Sequence, residues 1–162
     1  MTTDSTRQKP GGEYETFTLP YGDDLFAPRR STADLSGLHV LLVEDDDDAR
    51  ELLIEVLSKF GCRVNSASSV PDAMAQFAEA PPDMVVSDIG MPREDGYALL
   101  RTIRARNAAE GGTVPAIALT AYTAERDKRL ARDAGFDAHL AKPVNVRELV
   151  DMVGAVVQQA RA

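Results

Sequence analysis

The stretch Val40-Leu41-Leu42-Val43-Glu44-Asp45 decides the reading of this chain. An unbroken apolar run suits a strand covered on both faces, because a strand with one solvated face would alternate polar and apolar positions. Two carboxylates stand where that strand ends. Beyond them Ala49, Leu52, Leu53, Val56, Leu57 and Phe60 recur at helical spacing as one buried stripe, and Gly61 closes it. A covered strand followed by an amphipathic helix is the repeating unit of a parallel sheet.

Working outward, the same unit recurs. Val64 opens a second strand, and Ser69 with Asp72 forms an S-x-x-D start signal for a helix bearing Met74, Phe77 and Ala78. Met84-Val85-Val86 runs into Ser87 and Asp88, and its helix carries Tyr97, Leu99, Leu100 and Ile103. Gly111-Gly112 interrupts the chain before Ala116-Ile117-Ala118-Leu119, a fourth strand. A mostly polar helix from about Ala124 to Ala134 follows, closed by Gly135; so little apolar surface suggests a helix that moves or binds. A short fifth strand lies near Ala138 to Ala141, and Asn145 with Glu148 starts a last helix bearing Leu149, Met152, Val153 and Val156. Met74, Met84, Met91 and Met152 read as core or rim filler.

Right-handed crossovers turn this pattern into an α/β fold: a doubly wound, five-stranded parallel sheet of the flavodoxin-like order 2-1-3-4-5. It is expected as a single domain over residues 38–162, preceded by an N-terminal arm or linker over residues 1–37. The arm is rich in Thr, Ser, Gly, Pro and charge, yet it holds Tyr14, Phe17, Tyr21 and Phe26, and Phe17, Leu19 and Tyr21 alternate as in a strand. Both a disordered tail and an arm laid on the body or on a neighbouring subunit fit that composition.

The 162 residues are 44% hydrophobic and 27% charged, with a net charge of −8, which describes a soluble globular chain. A lone cysteine, Cys62, forms no internal disulfide, and His39 and His139 lack zinc-site spacing, so a reducing, cytoplasmic setting is expected. No apolar run approaches the ~18 residues of a membrane span, and the acidic balance argues against direct nucleic-acid binding.

In such a fold ligands gather at the carboxyl ends of the strands. Glu44 and Asp45, Asp88, Thr120 and Lys142 all fall there. Clustered carboxylates repel one another unless a cation compensates, and Mg²⁺ suits them because it prefers oxygen ligands and keeps several waters. Asp45 and Asp88 are the expected ligands, with Glu44 acting through water and the Gly90 carbonyl completing the protein share. An aspartate beside such a cation is also a nucleophile for phosphorus, and Asp88, on the middle strand, is the candidate. Lys142 and Thr120 can each take one equatorial phosphoryl oxygen. The run Asp46 to Asp48 reads instead as a solvated helix start.

Four segments, Leu41-Leu42-Val43-Glu44-Asp45, Ser87-Asp88-Ile89-Gly90-Met91-Pro92, Leu119-Thr120-Ala121 and Ala141-Lys142-Pro143, occur in this order and make the region from Leu38 to Ala162 resemble the receiver domain of two-component response regulators. The resemblance implies that Asp88 accepts a phosphoryl group from a histidine kinase or histidine phosphotransfer protein. It implies that Glu44 and Asp45 serve Mg²⁺, and that Thr120 and Lys142 sense the phosphate and switch a surface for a downstream protein target. A switch residue is implied three positions before the lysine, where His139 replaces the family's usual aromatic. Gly90 and Tyr122 fall where receivers tune access of hydrolytic water, and a cis Lys142–Pro143 peptide is implied. The segment Gly11 to Pro20 is similar to the closing strand of the ATP-binding domain of hybrid histidine kinases, so a receiver of that type is expected, standing alone or cut from a longer protein.

On this reading the chain is a phosphoacceptor, not an enzyme with a separate turnover substrate; output passes through another protein or the arm, and a homodimer is compatible with it. Two alternatives remain open. A magnesium-dependent small-molecule phosphatase of similar fold would need a general acid where Gly90 stands, and a cap over its substrate. A non-phosphorylated receiver-like scaffold would not need the intact acidic pair, aspartate, threonine and lysine.

Overall fold

The computed structural model describes residues 35–91, 95–121 and 125–161. Strands β1 (His39–Val43), β2 (Arg63–Ala67), β3 (Met84–Asp88), β4 (Ala116–Thr120) and β5 (Ala138–Ala141) alternate with helices α1 (Asp47–Lys59), α2 (Val70–Glu79), α3 (Gly96–Arg104), α4 (Glu125–Ala134) and α5 (Val146–Arg161). The strands form one parallel sheet in the order β2-β1-β3-β4-β5, as the sequence pattern predicts.

Alternation along β1 divides the core. Leu41 and Val43 point to the layer of α2, α3 and α4, where they meet Phe77, Leu99, Leu100 and Ile103. Val40 and Leu42 point to the layer of α1 and α5, with Leu53, Leu57, Leu149 and Val153; Leu35 and Leu38 pack there too. All five residues of β3 and of β4 are buried, which explains their unbroken apolar runs, whereas β2 at the sheet edge alternates.

The helix starts are set by side-chain caps. Asp46, Ser69 and Asp95 each accept the backbone N–H three residues on, at 2.9, 3.2 and 2.9 Å, and Asn145 accepts that of Glu148 at 3.0 Å. Gly61 and Gly135 end α1 and α4 with φ of +96° and +115°, a backbone region that glycine enters without a Cβ penalty.

The expected α1 stripe needs correction. Leu53 and Leu57 are buried, but Leu52 is 55% exposed and Phe60 44% exposed. The stripe is wider than the seam the helix shares with the sheet and α5, so its outer edge faces solvent. Helix α4 buries only Ala131 and Ala134, in keeping with its polar composition. The arm residues 1–34, Pro92, Ala124 and Tyr122, of which an access role is expected, lie outside the described residues.

Candidate functional site

Strand register assembles the site. Val43 is level with Ser87 and Asp88 with Leu119, so Glu44, following β1, stands beside the end of β3. Thr120 is level with Ala141, and the Lys142 N–H donates to the Thr120 carbonyl at 2.9 Å, which carries the lysine around the same rim. The Lys142–Pro143 peptide is cis.

Lys142 Nζ lies 3.1 Å from Asp88 Oδ2 and 3.3 Å from Glu44 Oε1. The other oxygens are held by backbone: Asp88 Oδ1 accepts the Gly90 N–H at 3.1 Å, and Glu44 Oε2 accepts that of Asp46 at 3.2 Å. Glu44 and Asp88 are 1% and 5% exposed, and Thr120 is also buried. One carboxylate oxygen each from Glu44, Asp45 and Asp88 falls within 4.8 Å of the others. One ammonium thus faces a cluster of carboxylates.

Electrostatics reflect that excess. Burial, and next the neighbouring Asp88 charge, raise the pKa of Glu44, against the Asp46 N–H and Lys142, which lower it. For Lys142 burial opposes the charge, but Asp88 and Glu44 outweigh it and raise the pKa above its ordinary value. Glu44 Oε1 meets Lys142 at ion-pair distance without hydrogen-bond geometry, so this buried oxygen has no hydrogen bond. An oxygen donor set with unused acceptor capacity and surplus negative charge fits a hard divalent cation such as Mg²⁺.

The structure therefore brings Glu44, Asp45, Asp88, Thr120 and Lys142 to one rim, with Gly90 exposed beside Asp88. His139 sits apart, half-buried on β5. Burial lowers its pKa, as do Lys128 and Arg132, while Glu125 opposes them.

Gly96 is a residue the sequence reading missed. A Cβ there would stand 2.6 Å from the Asp88 carbonyl oxygen and 3.0 Å from Ile89 Cα, so glycine lets α3 begin directly against the end of β3. The Gly96 N–H donates to the Ile89 carbonyl at 3.1 Å, tying the loop after Asp88 shut. The Asp95-Gly96 pair is the signal in the sequence that could have found it. Arg50 was also missed; its guanidinium donates to the Glu44 carbonyl at 3.0 Å and to Asp47 at 2.6 Å, bracing the acidic loop.

Residues 40–154 match the response regulator receiver domain model, and the chain belongs to that family. It is 40% identical over 119 residues to an uncharacterized 14.6 kDa protein from the sodA1 3′ region of Leptolyngbya boryana, covering 74% of this chain and 89% of that one. It is 34% identical to hybrid signal transduction histidine kinase D of Dictyostelium discoideum, matching 77% of this chain but only 8% of the kinase. Among solved structures, the signal receiver domain of a signal transduction histidine kinase from Syntrophus aciditrophicus superposes with a TM-score of 0.70 at 27% identity, over 77% of this chain and 93% of that one. Among the described residues no helix is long and apolar enough to cross a membrane.

Proposed function

We propose that this chain is a phosphoacceptor in a two-component phosphorelay, with Asp88 taking a phosphoryl group from the phosphohistidine of a histidine kinase or phosphotransfer protein. The observation that carries this reading is the 3.1 Å approach of Lys142 Nζ to Asp88 Oδ2 inside an acidic cluster. A carboxylate oxygen of Asp88 forms the new P–O bond as the donor's P–N bond breaks; the imidazole keeps that electron pair and takes up a proton. Lys142 neutralises charge on the phosphoryl oxygens, and the Thr120 hydroxyl donates a hydrogen bond to one of them. Glu44, Asp45, Asp88 and the Gly90 carbonyl would hold Mg²⁺, which when bound supplies positive charge for the phosphoryl oxygens.

Because Thr120 and Lys142 lie at the ends of β4 and β5, a new phosphate would pull on the loops flanking α4, the helix with the least buried apolar surface. His139, on β5 within the fields of Lys128, Glu125 and Arg132, would follow that shift. The responding face would then meet a downstream protein.

Incubation with phosphoramidate and Mg²⁺ is expected to add one phosphoryl group to the intact mass of the full chain, and Asp88→Asn to prevent it. Uptake that survives Asp88→Asn would overturn the assignment. Catalytic turnover of a phosphate ester would favour a magnesium-dependent phosphatase, and failure of folded protein to bind Mg²⁺ or beryllofluoride would favour a scaffold role.

A further inference from the structure

We propose that the N-terminal segment of this same chain, residues 14–30, docks along the outer face of α1, its apolar side chains covering Leu52, Val56 and Phe60. These three recur every fourth residue, a single stripe about 12 Å long at 1.5 Å rise per residue. Leu52 and Phe60 are 55% and 44% exposed, and Val56 is half-buried between them. An exposed stripe of large apolar side chains asks for a cover.

The point where the described chain begins says what that cover is. Leu35 is 4% exposed and packs in the α1/α5 layer, and the Gly37 N–H donates to the Gly61 carbonyl at 2.8 Å. A Cβ on Gly61 would stand 2.9 Å from Ser36 Cα, so the chain leaves the body against the residue that follows Phe60. The residues upstream carry Phe17, Leu19, Tyr21 and Phe26, which suit an apolar stripe. Extended chain rises about 3.3 Å per residue, so the stretch from Phe26 to Leu35 reaches well beyond the length of the stripe.

Charge favours this occupant over a second copy. Along α1, Asp47, Asp48, Glu51 and Glu55 outweigh Arg50 and Lys59, and the whole chain carries −8, so two such faces repel each other. The segment 14–30 is close to neutral, with Glu15, Asp23 and Asp24 against Arg29 and Arg30, and its two arginines stand nearest its point of exit, where they can face the acidic side chains of α1.

The test uses the full chain carrying Cys62→Ala and Thr18→Cys, with a nitroxide on the new thiol and paramagnetic broadening read at backbone amides. A docked arm predicts that amides of residues 51–61 lose most of their intensity while those of α3 keep theirs. Adding Leu52→Lys and Phe60→Lys, both at exposed positions, is expected to return those signals. Arg29→Ala with Arg30→Ala is expected to weaken the broadening in part. Weak, uniform broadening would overturn the proposal, as would an equal loss in a mixture where label and isotope sit on different chains, which means a second copy is the occupant.

Discussion

Two partly buried cations in this molecule do opposite things. Arg104 on α3 donates to the Gly135 carbonyl at 2.8 and 3.0 Å, to the Gly112 carbonyl at 3.0 Å and to Asp137 at 3.3 Å. Asp137 also accepts the Ala116 N–H at 2.9 Å, so Arg104 ties the α4–β5 turn to the start of β4 and to the loop after α3. Its donors meet carbonyl dipoles and one carboxylate, and the charges balance. Lys142 meets two carboxylates with a third nearby, and one of their oxygens has no hydrogen bond. A cation whose surroundings balance it holds a fold together; one set in surplus negative charge leaves a site that favours further positive charge.

The sharpest way to break this contrast is at Asp88. Asp88→Asn is expected to reduce phosphoryl uptake to background while leaving stability without Mg²⁺ unchanged or higher, since it removes a like charge beside Glu44. Urea unfolding and intact mass, measured on the same sample, check both halves. The mirror experiment is Arg104→Ala, which strands the Gly135 and Gly112 carbonyls and is expected to cost about 2–4 kcal/mol of stability. Uptake per folded molecule should stay within about twofold, as each 1.4 kcal/mol of barrier is tenfold in rate.

A smaller effect separates the sites by metal. Mg²⁺ at a hundredfold excess over its dissociation constant should stabilise the chain by about 2.7 kcal/mol, and chelation should reverse it. Asp45→Asn should shrink that gain and Arg104→Ala should not, as read from melting temperature against Mg²⁺ concentration. The smallest expected effect concerns His139. Its pKa lies below the unfolded value of 6.5, so the folded chain binds fewer protons than the unfolded chain in that range. Its contribution to stability is full above pH 6.5 and is lost as pH falls through the lowered value. His139→Phe should flatten this part of a stability profile between pH 7.5 and 5.

Much of this was legible because the physics is local. A parallel sheet covered on both faces must show unbroken apolar strands such as Val40–Val43, and caps such as Ser69 and Asn145 act over three residues. The rim residues were legible because strand ends in this fold converge, so Glu44, Asp88, Thr120 and Lys142 needed only their positions after strands. What escaped depends on contacts between distant elements. Arg104 reads as one more polar residue late in a helix until Gly135, 31 positions on, is seen to accept from it. Gly96 looks like punctuation until the Asp88 carbonyl stands where its Cβ would be. Leu52 and Phe60 were placed inside because periodicity reports a face of the helix and not how much of that face its neighbours cover.

The most direct test is to trap the acyl phosphate. Full-length chain treated with phosphoramidate and Mg²⁺, then reduced with borohydride, is expected to yield a single homoserine at position 88 by peptide sequencing in a mass spectrometer. Homoserine at another acidic residue, or phosphoryl uptake that yields none, would contradict the assignment of Asp88 as the phosphoryl acceptor.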